Sequence, residues 1–152
     1  MPDTPGSTEN RSTIAITPSR KGRVMTYHFS KTLRLPFEVA ITRATEALKQ
    51  EGFGILTEID VQQTLKKKLD VDFRPYRILG ACNPPLAYQA LQAEDKIGTM
   101  LPCNVVVQEL GNGTVEVSAV DPVASMTAIE NPKLGTVAQT VQAKLRKVID
   151  SL

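Results

Sequence analysis

The chain has 152 residues, of which 41% are hydrophobic and 22% are charged, and such a composition is typical of one globular domain. No run of residues approaches the roughly 20 apolar residues that cross a bilayer. Residues 1–24 also lack the apolar segment of a secretory signal. These features predict a soluble, cytoplasmic protein without a membrane contact. The two cysteines are too few for a disulfide scaffold, so we expect reduced thiols.

Residues 1–24 are predicted to form a disordered, basic N-terminal tail. They are rich in Ser, Thr, Pro and Gly, and their few apolar side chains do not offset the entropy that ordering would cost. Their four cations and two carboxylates account for the whole net charge of +2. The remaining residues, 25–152, therefore form a single domain without net charge. This argues against nucleic-acid binding, which needs several cations on one face.

The first half of the domain alternates predicted strands and helices. Residues 25–30 alternate in polarity as a half-buried strand does. A helix is predicted to begin near Pro36, which suits a first turn, and to end at Gly52, which tolerates a left-handed backbone. A second strand over 54–59 leads into Asp60, a residue type that caps helices, and so into a short helix.

The second half contains three more predicted strands. One covers 76–82 and is followed by a helix that Asn83 is expected to cap. The other two, near 100–109 and at 114–120, flank a Gly-Asn-Gly turn at 111–113, whose residues tolerate the positive φ of a hairpin. The sequence thus predicts about five strands.

Two long amphipathic helices decide the predicted fold class. One precedes Gly52 and the other is C-terminal, with apolar positions at helical spacing: Leu134, Val137, Ala138, Val141, Leu145, Val148 and Ile149. Each can cover part of one sheet face. We therefore expect an α+β two-layer sandwich, with a mostly antiparallel sheet and both main helices on one face. The other face mixes polar and apolar residues, which suits a ligand groove or a self-association surface.

The two cysteines occupy similar contexts, Cys82 before Asn83 and Cys103 before Asn104, each with proline nearby. Cysteine can act as a nucleophile, a redox partner or a metal ligand, so chemistry is expected in these segments. Cys82 lies at a strand-to-helix junction, where the helix dipole and free backbone N–H groups favour the thiolate. Cys103 comes within reach only if the two strands are neighbours. The simpler alternative is that both thiols are small buried apolar groups.

His28 is the sole histidine, so any Cys/His pair or mixed metal site must use it. It contacts a cysteine only if its strand is next to theirs. Asn83 and Asn104 offer amides to a polar group of a ligand, although capping is the simpler role for Asn83. The candidate ligand-binding residues are therefore Cys82, Asn83, Cys103, Asn104 and His28. No metal is expected, and if one were bound it would use Cys82, Cys103 and His28.

The order of these motifs resembles the bacterial and archaeal domain-of-unknown-function family 302. The resemblance rests on the runs YRILGACNPPLA at 76–87 and LPCNVVV at 101–107 and on Ile97-Gly98, and it extends over roughly residues 25–151. It implies a small α+β domain of TATA-binding-protein-like topology that forms homodimers. It implies no established activity and no catalytic residues.

Three functions of different classes remain open. We favour a non-enzymatic module that binds a small ligand near the two Cys-Asn motifs, because no spacing in the sequence requires catalysis. The second is a thiol-dependent redox, sulfur-handling or soft-metal-binding protein that uses Cys82 and Cys103. The third is a dimeric interaction protein whose cysteines are structural. The sequence names neither the ligand nor a cofactor.

Overall fold

The computed structural model describes residues 26–152. The predicted tail at 1–24 lies outside the described residues, as does the predicted start of the first strand at Met25. In the described part of the chain, no helix combines the length and the apolar character that crossing a bilayer requires.

The described chain forms one antiparallel sheet with helices between its strands, in the order β1-β5-β4-β3-β2. The strands are β1 (His28–Leu33), β2 (Gly54–Asp60), β3 (Tyr76–Cys82), β4 (Cys103–Gly111) and β5 (Thr114–Val120). The helices are α1 (Phe37–Gln50), α2 (Val61–Leu69), α3 (Pro84–Ala93), α4 (Pro122–Ser125) and α5 (Pro132–Asp150), and a 3₁₀ helix covers Asp95–Met100. The predicted α+β class with a five-stranded antiparallel sheet is confirmed.

Two of the predicted strand boundaries are wrong. β1 occupies His28–Leu33 rather than 25–30, because its last residues continue the ladder with β5, Leu33 lying opposite Val115. β4 begins at Cys103 rather than near 100, since the preceding residues form the 3₁₀ helix and Pro102 has no N–H to donate to a ladder.

Helices α1 and α5 cover one face of the sheet and pack against each other. Because alternate residues of a strand point to the same face, the central strands fill this core with small and branched side chains: Leu79, Ala81, Val105, Val107, Val115, Val117 and Ala119. The helices contribute Ala40, Ile41, Ala44, Leu48, Val141, Leu145, Val148 and Ile149. The prediction that both main helices share one face is therefore correct.

A second, smaller core lies beside the main one. It consists of three buried side chains, Ala90 of α3, Ile97 of the 3₁₀ helix and Leu134 of α5, whereas the main core contains eighteen buried residues. Both α3 and α4 pack on α5, so the N-terminal half of that long helix connects the two cores.

A partly buried arginine ties α1 to the edge of the sheet. Arg77 on β3 donates to Glu38 of α1 and to Glu58 and Asp60 of β2, with N–O separations of 3.1–3.5 Å. Burial alone would lower the pKa of Arg77, but the hydrogen bond to Glu38 and the charges of the three carboxylates outweigh burial and raise the pKa. The guanidinium also lies 5.4 Å from the centre of the Phe37 ring, so the first turn of α1 is held from two sides.

The face of the sheet opposite α1 and α5 is the open face. Asn104 is exposed there, and Val106, Gln108, Glu116 and Ser118 are half-buried. This face also contains a hollow of about 330 Å³. The prediction of a mixed polar and apolar second face therefore matches the structure.

Replacing Leu145 by Ala is expected to lower the free energy of unfolding by about 3 kcal/mol, because the side chain is fully buried and its removal leaves a cavity. Leu110→Ala is the control: Leu110 on β4 is 48% exposed and its loss is expected to cost less than about 1 kcal/mol. Urea unfolding measures both values. Equal losses would show that α5 does not hold the core together.

Candidate functional site

An apolar pocket of about 270 Å³ lies where the ends of β3 and β4 meet α3, α4 and α5. Of the described residues that line the pocket, none is charged, one carries an amide and two carry thiols. The lining residues are Phe53, Leu56, Ala81, Cys82, Asn83, Leu86, Ala87, Ala90, Leu91, Leu101, Pro102, Cys103, Pro122, Met126, Leu134, Val137, Ala138 and Val141. The two Cys-Asn segments therefore contribute Cys82, Asn83 and Cys103 to one cavity.

Strand pairing brings the two cysteines together. β3 and β4 are antiparallel neighbours, and Cys103 lies directly opposite Ala81, the residue before Cys82. The two strands are therefore neighbours, which is what the sequence analysis required for Cys103 to come within reach of Cys82. Both thiols are free, and Cys103 is buried whereas Cys82 is partly exposed.

The environment of Cys103 favours its neutral form. Burial, and secondarily the nearby Cys82, raise the pKa of the Cys103 thiol from 9.0 to about 11, because a thiolate there would lose its hydration and meet a second negative charge. Cys103 is therefore a protonated thiol at neutral pH. Since the thiolate is the nucleophile and the metal ligand, Cys103 is suited to neither role without a change in its surroundings.

The N-terminus of α3 offers few free donors to Cys82. Its first two residues, Pro84 and Pro85, have no N–H, and the N–H of Ala87 already donates to the carbonyl of Asn83 at 2.9 Å. The bond from Ala87 is the first regular bond of the helix, so the N–H groups that an ordinary helix would leave free are those of residues 83–86. Pro84 and Pro85 remove two of these four, and the free backbone donors that the sequence led us to expect beside Cys82 are thus halved in this helix.

Asn83 occupies the N-cap position of α3 as predicted, but its side chain makes no capping hydrogen bond to this helix. Its Nδ2 instead donates to the carbonyl of Glu51 at 3.2 Å and lies against Gly52, in the turn between α1 and β2. Asn83 is 9% exposed, and its Oδ1 accepts no hydrogen bond from residues 26–152. The side chain therefore links the pocket to the α1–β2 turn and leaves one acceptor atom for a ligand.

The short helix α4 is held in place by Asp121. Its Oδ1 accepts hydrogen bonds from the N–H groups of Val123 and Ala124, at 3.0 and 3.4 Å. Nε2 of Gln142 on α5 donates to both carboxylate oxygens of Asp121, at 3.0 and 3.2 Å. This arrangement fixes α4 against α5, and so positions Met126 at the wall of the pocket.

His28 and Asn104 lie away from the pocket. Asn104 alternates with Cys103 along β4 and points to the open face, where it lines the hollow together with His28. β1 pairs only with β5, so His28 is not on a strand next to either cysteine. The five candidate residues thus divide into a group of three in the apolar pocket and a group of two on the open face.

The sequence did not reveal the wall that α4 and α5 contribute to the pocket. Met126, Leu134 and Val137 line it, whereas the apolar spacing of the C-terminal helix predicts only a helix that covers part of a sheet face. The sequence did contain a signal for this wall. Leu134 and Val137 lie about one to two helical turns before Val141, the first buried α5 residue of the main core, so the apolar stripe is longer than the main core requires. Among residues 26–152, no three His, Cys, Asp or Glu side chains come together as a metal site would require.

Comparison with known proteins identifies the family. The sequence profile described as "Domain of unknown function DUF302" matches residues 29–152. The chain belongs to the DUF302 family. Its structure is similar to the crystal structure of an uncharacterized conserved DUF302 protein from Bacillus stearothermophilus, with a TM-score of 0.75 and 32% sequence identity over 82% of this chain and 96% of that chain. No curated protein matches the chain. The resemblance inferred from the two Cys-Asn motifs is confirmed.

Alkylation of the native DUF302 domain is expected to modify Cys82 before Cys103. From neutral pH up to pH 9, the ordinary pKa of a thiol, Cys103 is expected to stay unlabelled, because its own pKa is about 11 and its side chain is 8% exposed. Iodoacetamide labelling followed by mass spectrometry locates the label, and the unfolded chain in urea serves as the control in which both thiols react. Labelling of Cys103 at the rate of Cys82 in the native protein would contradict the environment described above.

Proposed function

We propose that this DUF302 domain is a non-enzymatic binding module for small, neutral, apolar molecules. The observation that carries the proposal is the apolar pocket, which has about 270 Å³ of space and a lining that offers a ligand one amide and two thiols but no charged group among the described residues. Ligand pockets in proteins are concave, mostly apolar and provided with a few polar groups that orient the ligand.

The lining also limits the size, the charge and the hydrogen-bonding groups of the proposed ligand. The volume of about 270 Å³ lies just below the usual range of about 300–1,000 Å³, which favours a short chain or a single ring over a large cofactor. A charged group buried in this pocket would lose its hydration and find no countercharge. Oδ1 of Asn83 has no partner among the described residues and is free to accept from a ligand, so a ligand with one hydroxyl or N–H group fits best.

The thiol-based alternative uses the same pocket and is less well supported. Cys82 and Cys103 share a wall, as a dithiol redox pair or a soft-metal site would require. The raised pKa of Cys103 opposes its use as the attacking thiolate and leaves that role to Cys82. Among residues 26–152, no third His, Cys, Asp or Glu joins the two thiols as a metal site would require. The third possibility, that the cysteines are purely structural, is consistent with the burial of Cys103 but leaves the pocket unexplained.

Three further properties are inferred from the family resemblance and from composition. The TATA-binding-protein-like topology and the homodimer follow from the resemblance, and a cytoplasmic location follows from the composition of the chain. The open face, with half-buried Val106 beside polar side chains, is compatible with self-association, although nothing in the fold requires it.

The affinity for unbranched primary alcohols is expected to rise about fourfold with each added methylene, because burial of a CH₂ group is worth about 0.8 kcal/mol. The increase stops at the chain length that fills the pocket. Isothermal titration calorimetry from 1-butanol to 1-octanol measures the series. Hexanoate, the anionic match of 1-hexanol, is expected not to bind. Equal binding of hexanoate and 1-hexanol, or no dependence on chain length, would contradict the proposal.

Filling the pocket is expected to abolish alcohol binding. Ala87 on α3 is half-buried and lines the cavity, so Ala87→Phe places a ring in the ligand space. Ala143→Phe introduces the same side chain at an exposed position of α5 outside the pocket, and is expected to bind as the parent does. Circular dichroism of both variants checks that they are folded. Unchanged binding to a folded Ala87→Phe variant would place the ligand elsewhere.

The homodimer is tested by light scattering coupled to gel filtration. The expected mass is twice 16.6 kDa at micromolar concentration. A monomer over the whole concentration range would remove the homodimer from the proposal and leave the pocket untouched, since the described lining residues all come from one chain.

A further inference from the structure

A chain of hydrogen-bonded side chains crosses the open face, separate from the apolar pocket. Nδ1 of His28 lies 2.7 Å from Oγ of Ser30, which lies 2.7 Å from Oγ of Ser118. Oγ of Ser118 lies 3.3 Å from Oε1 of Glu116, and Nε2 of Gln108 donates to the same oxygen at 3.4 Å. Five polar groups from β1, β5 and β4 are thereby connected.

The carboxylate at the end of the chain sets the direction of every bond in it. An ionised carboxylate only accepts, so Ser118 donates its proton to Glu116. A hydroxyl has one proton, so Ser118 accepts from Ser30, whose own proton is then used. Nδ1 of His28 is therefore the donor to Ser30. Neutral His28 is thus the tautomer with its proton on Nδ1, and its Nε2 keeps a free lone pair.

These hydrogen-bonded side chains border the hollow of about 330 Å³ on the open face. Tyr27, Tyr76 and Asn104 also line it. Of the described residues in the lining, Glu116 alone is charged when His28 is neutral, so the hollow has a negative charge and a surplus of acceptors. Within residues 26–152, the second carboxylate oxygen of Glu116, Oε2, accepts no hydrogen bond.

We propose that this hollow is a second binding site, for a small organic cation with a primary ammonium group. An ammonium group has three donors and no acceptor, which complements a lining rich in acceptors that includes the carboxylate of Glu116. The π face of a tyrosine ring attracts cations. Tyr27 and Tyr76 both line the hollow, and the Tyr76 ring already has the Arg74 guanidinium 5.8 Å from its centre. A carboxylate or phosphate ligand would instead meet the charge of Glu116, so anions are excluded.

Among the described residues, the cation Arg74 is hydrogen-bonded to a member of this chain of groups. Its Nε donates to Oε1 of Gln108 at 3.0 Å, and its guanidinium lies 4.4 Å from the centre of the Phe73 ring. These contacts hold it at the Gln108 end of the chain. Arg74 is exposed, and within residues 26–152 its hydrogen bond goes to Gln108 and not to Glu116, so the carboxylate keeps an oxygen for a ligand. The bond to Arg74 also fixes the Gln108 amide with Nε2 towards Glu116, since an arginine cannot accept.

The tautomer of His28 is tested first, by proton–nitrogen NMR of the whole chain at a pH where the ring is neutral. The signals are unambiguous because the chain has one histidine. We expect the proton on Nδ1. In Ser118→Ala, Ser30 loses the acceptor for its hydroxyl proton and can donate that proton to Nδ1 of His28 instead. The tautomer population of His28 is therefore expected to move towards the Nε2–H form. Ser151→Ala removes a hydroxyl that bonds only to a helix carbonyl and is expected to change nothing. A proton on Nε2 in the parent protein would overturn the proposal.

Ligand binding is tested by titrating the His28 signals with n-butylammonium, and with 1-butanol and butyrate as the uncharged and anionic matches. The ammonium ion is expected to shift the signals to saturation, and the other two are expected not to. Glu116→Gln keeps an acceptor for Ser118, so it should preserve the tautomer while weakening ammonium binding about fivefold, the upper range for an exposed ion pair.

Three outcomes would overturn this second site. They are an equal response to 1-butanol and butylammonium, an unchanged ammonium affinity in Glu116→Gln, and His28 signals that change on dilution of the protein but not on titration. The last result would show that a second copy of the chain covers the hollow. None of them bears on the apolar pocket, which contains neither His28 nor Glu116.

Discussion

The antiparallel pairing of β3 with β4 is the interaction on which both sites depend. It places Ala81 opposite Cys103, which brings the two Cys-Asn segments to the same end of the sheet. Because side chains alternate along a strand, the same pairing sends Cys103 to the helical side and Asn104 to the open face. A shift of the register by one residue would exchange these two side chains and put a polar amide into the core.

The pocket differs chemically from the site that its cysteines suggest. A thiol at the start of a helix is normally activated by backbone donors, but Pro84 and Pro85 remove two of them from α3. Burial further keeps Cys103 protonated. Asn83 turns away from the helix to bond the carbonyl of Glu51. These features produce an apolar wall without a charged group among the described residues, which is the basis of the proposal that the ligand is neutral and apolar.

The sequence predicted the elements well because each carries a local signal. Pro36 and Gly52 bound α1, Asp60 caps α2, and the Gly-Asn-Gly turn sets the hairpin of β4 and β5. It predicted the site less well, because the site depends on contacts between distant segments. The partner of Asn83 is a carbonyl 32 residues earlier in the chain. The order of the sheet, which separates His28 from the cysteines, has no local signal.

The two cores described above are also expected to differ in the free energy that local opening requires. Three buried side chains hold α3 and the 3₁₀ helix to α5, whereas eighteen hold the sheet to its helices. Segments with few buried contacts open at a lower free energy than the global unfolding reaction. The pocket lies at the boundary between these two parts, so α3 is the wall expected to open first. A ligand of the proposed site would then enter through a local opening of one helix, while the sheet and its register stay intact.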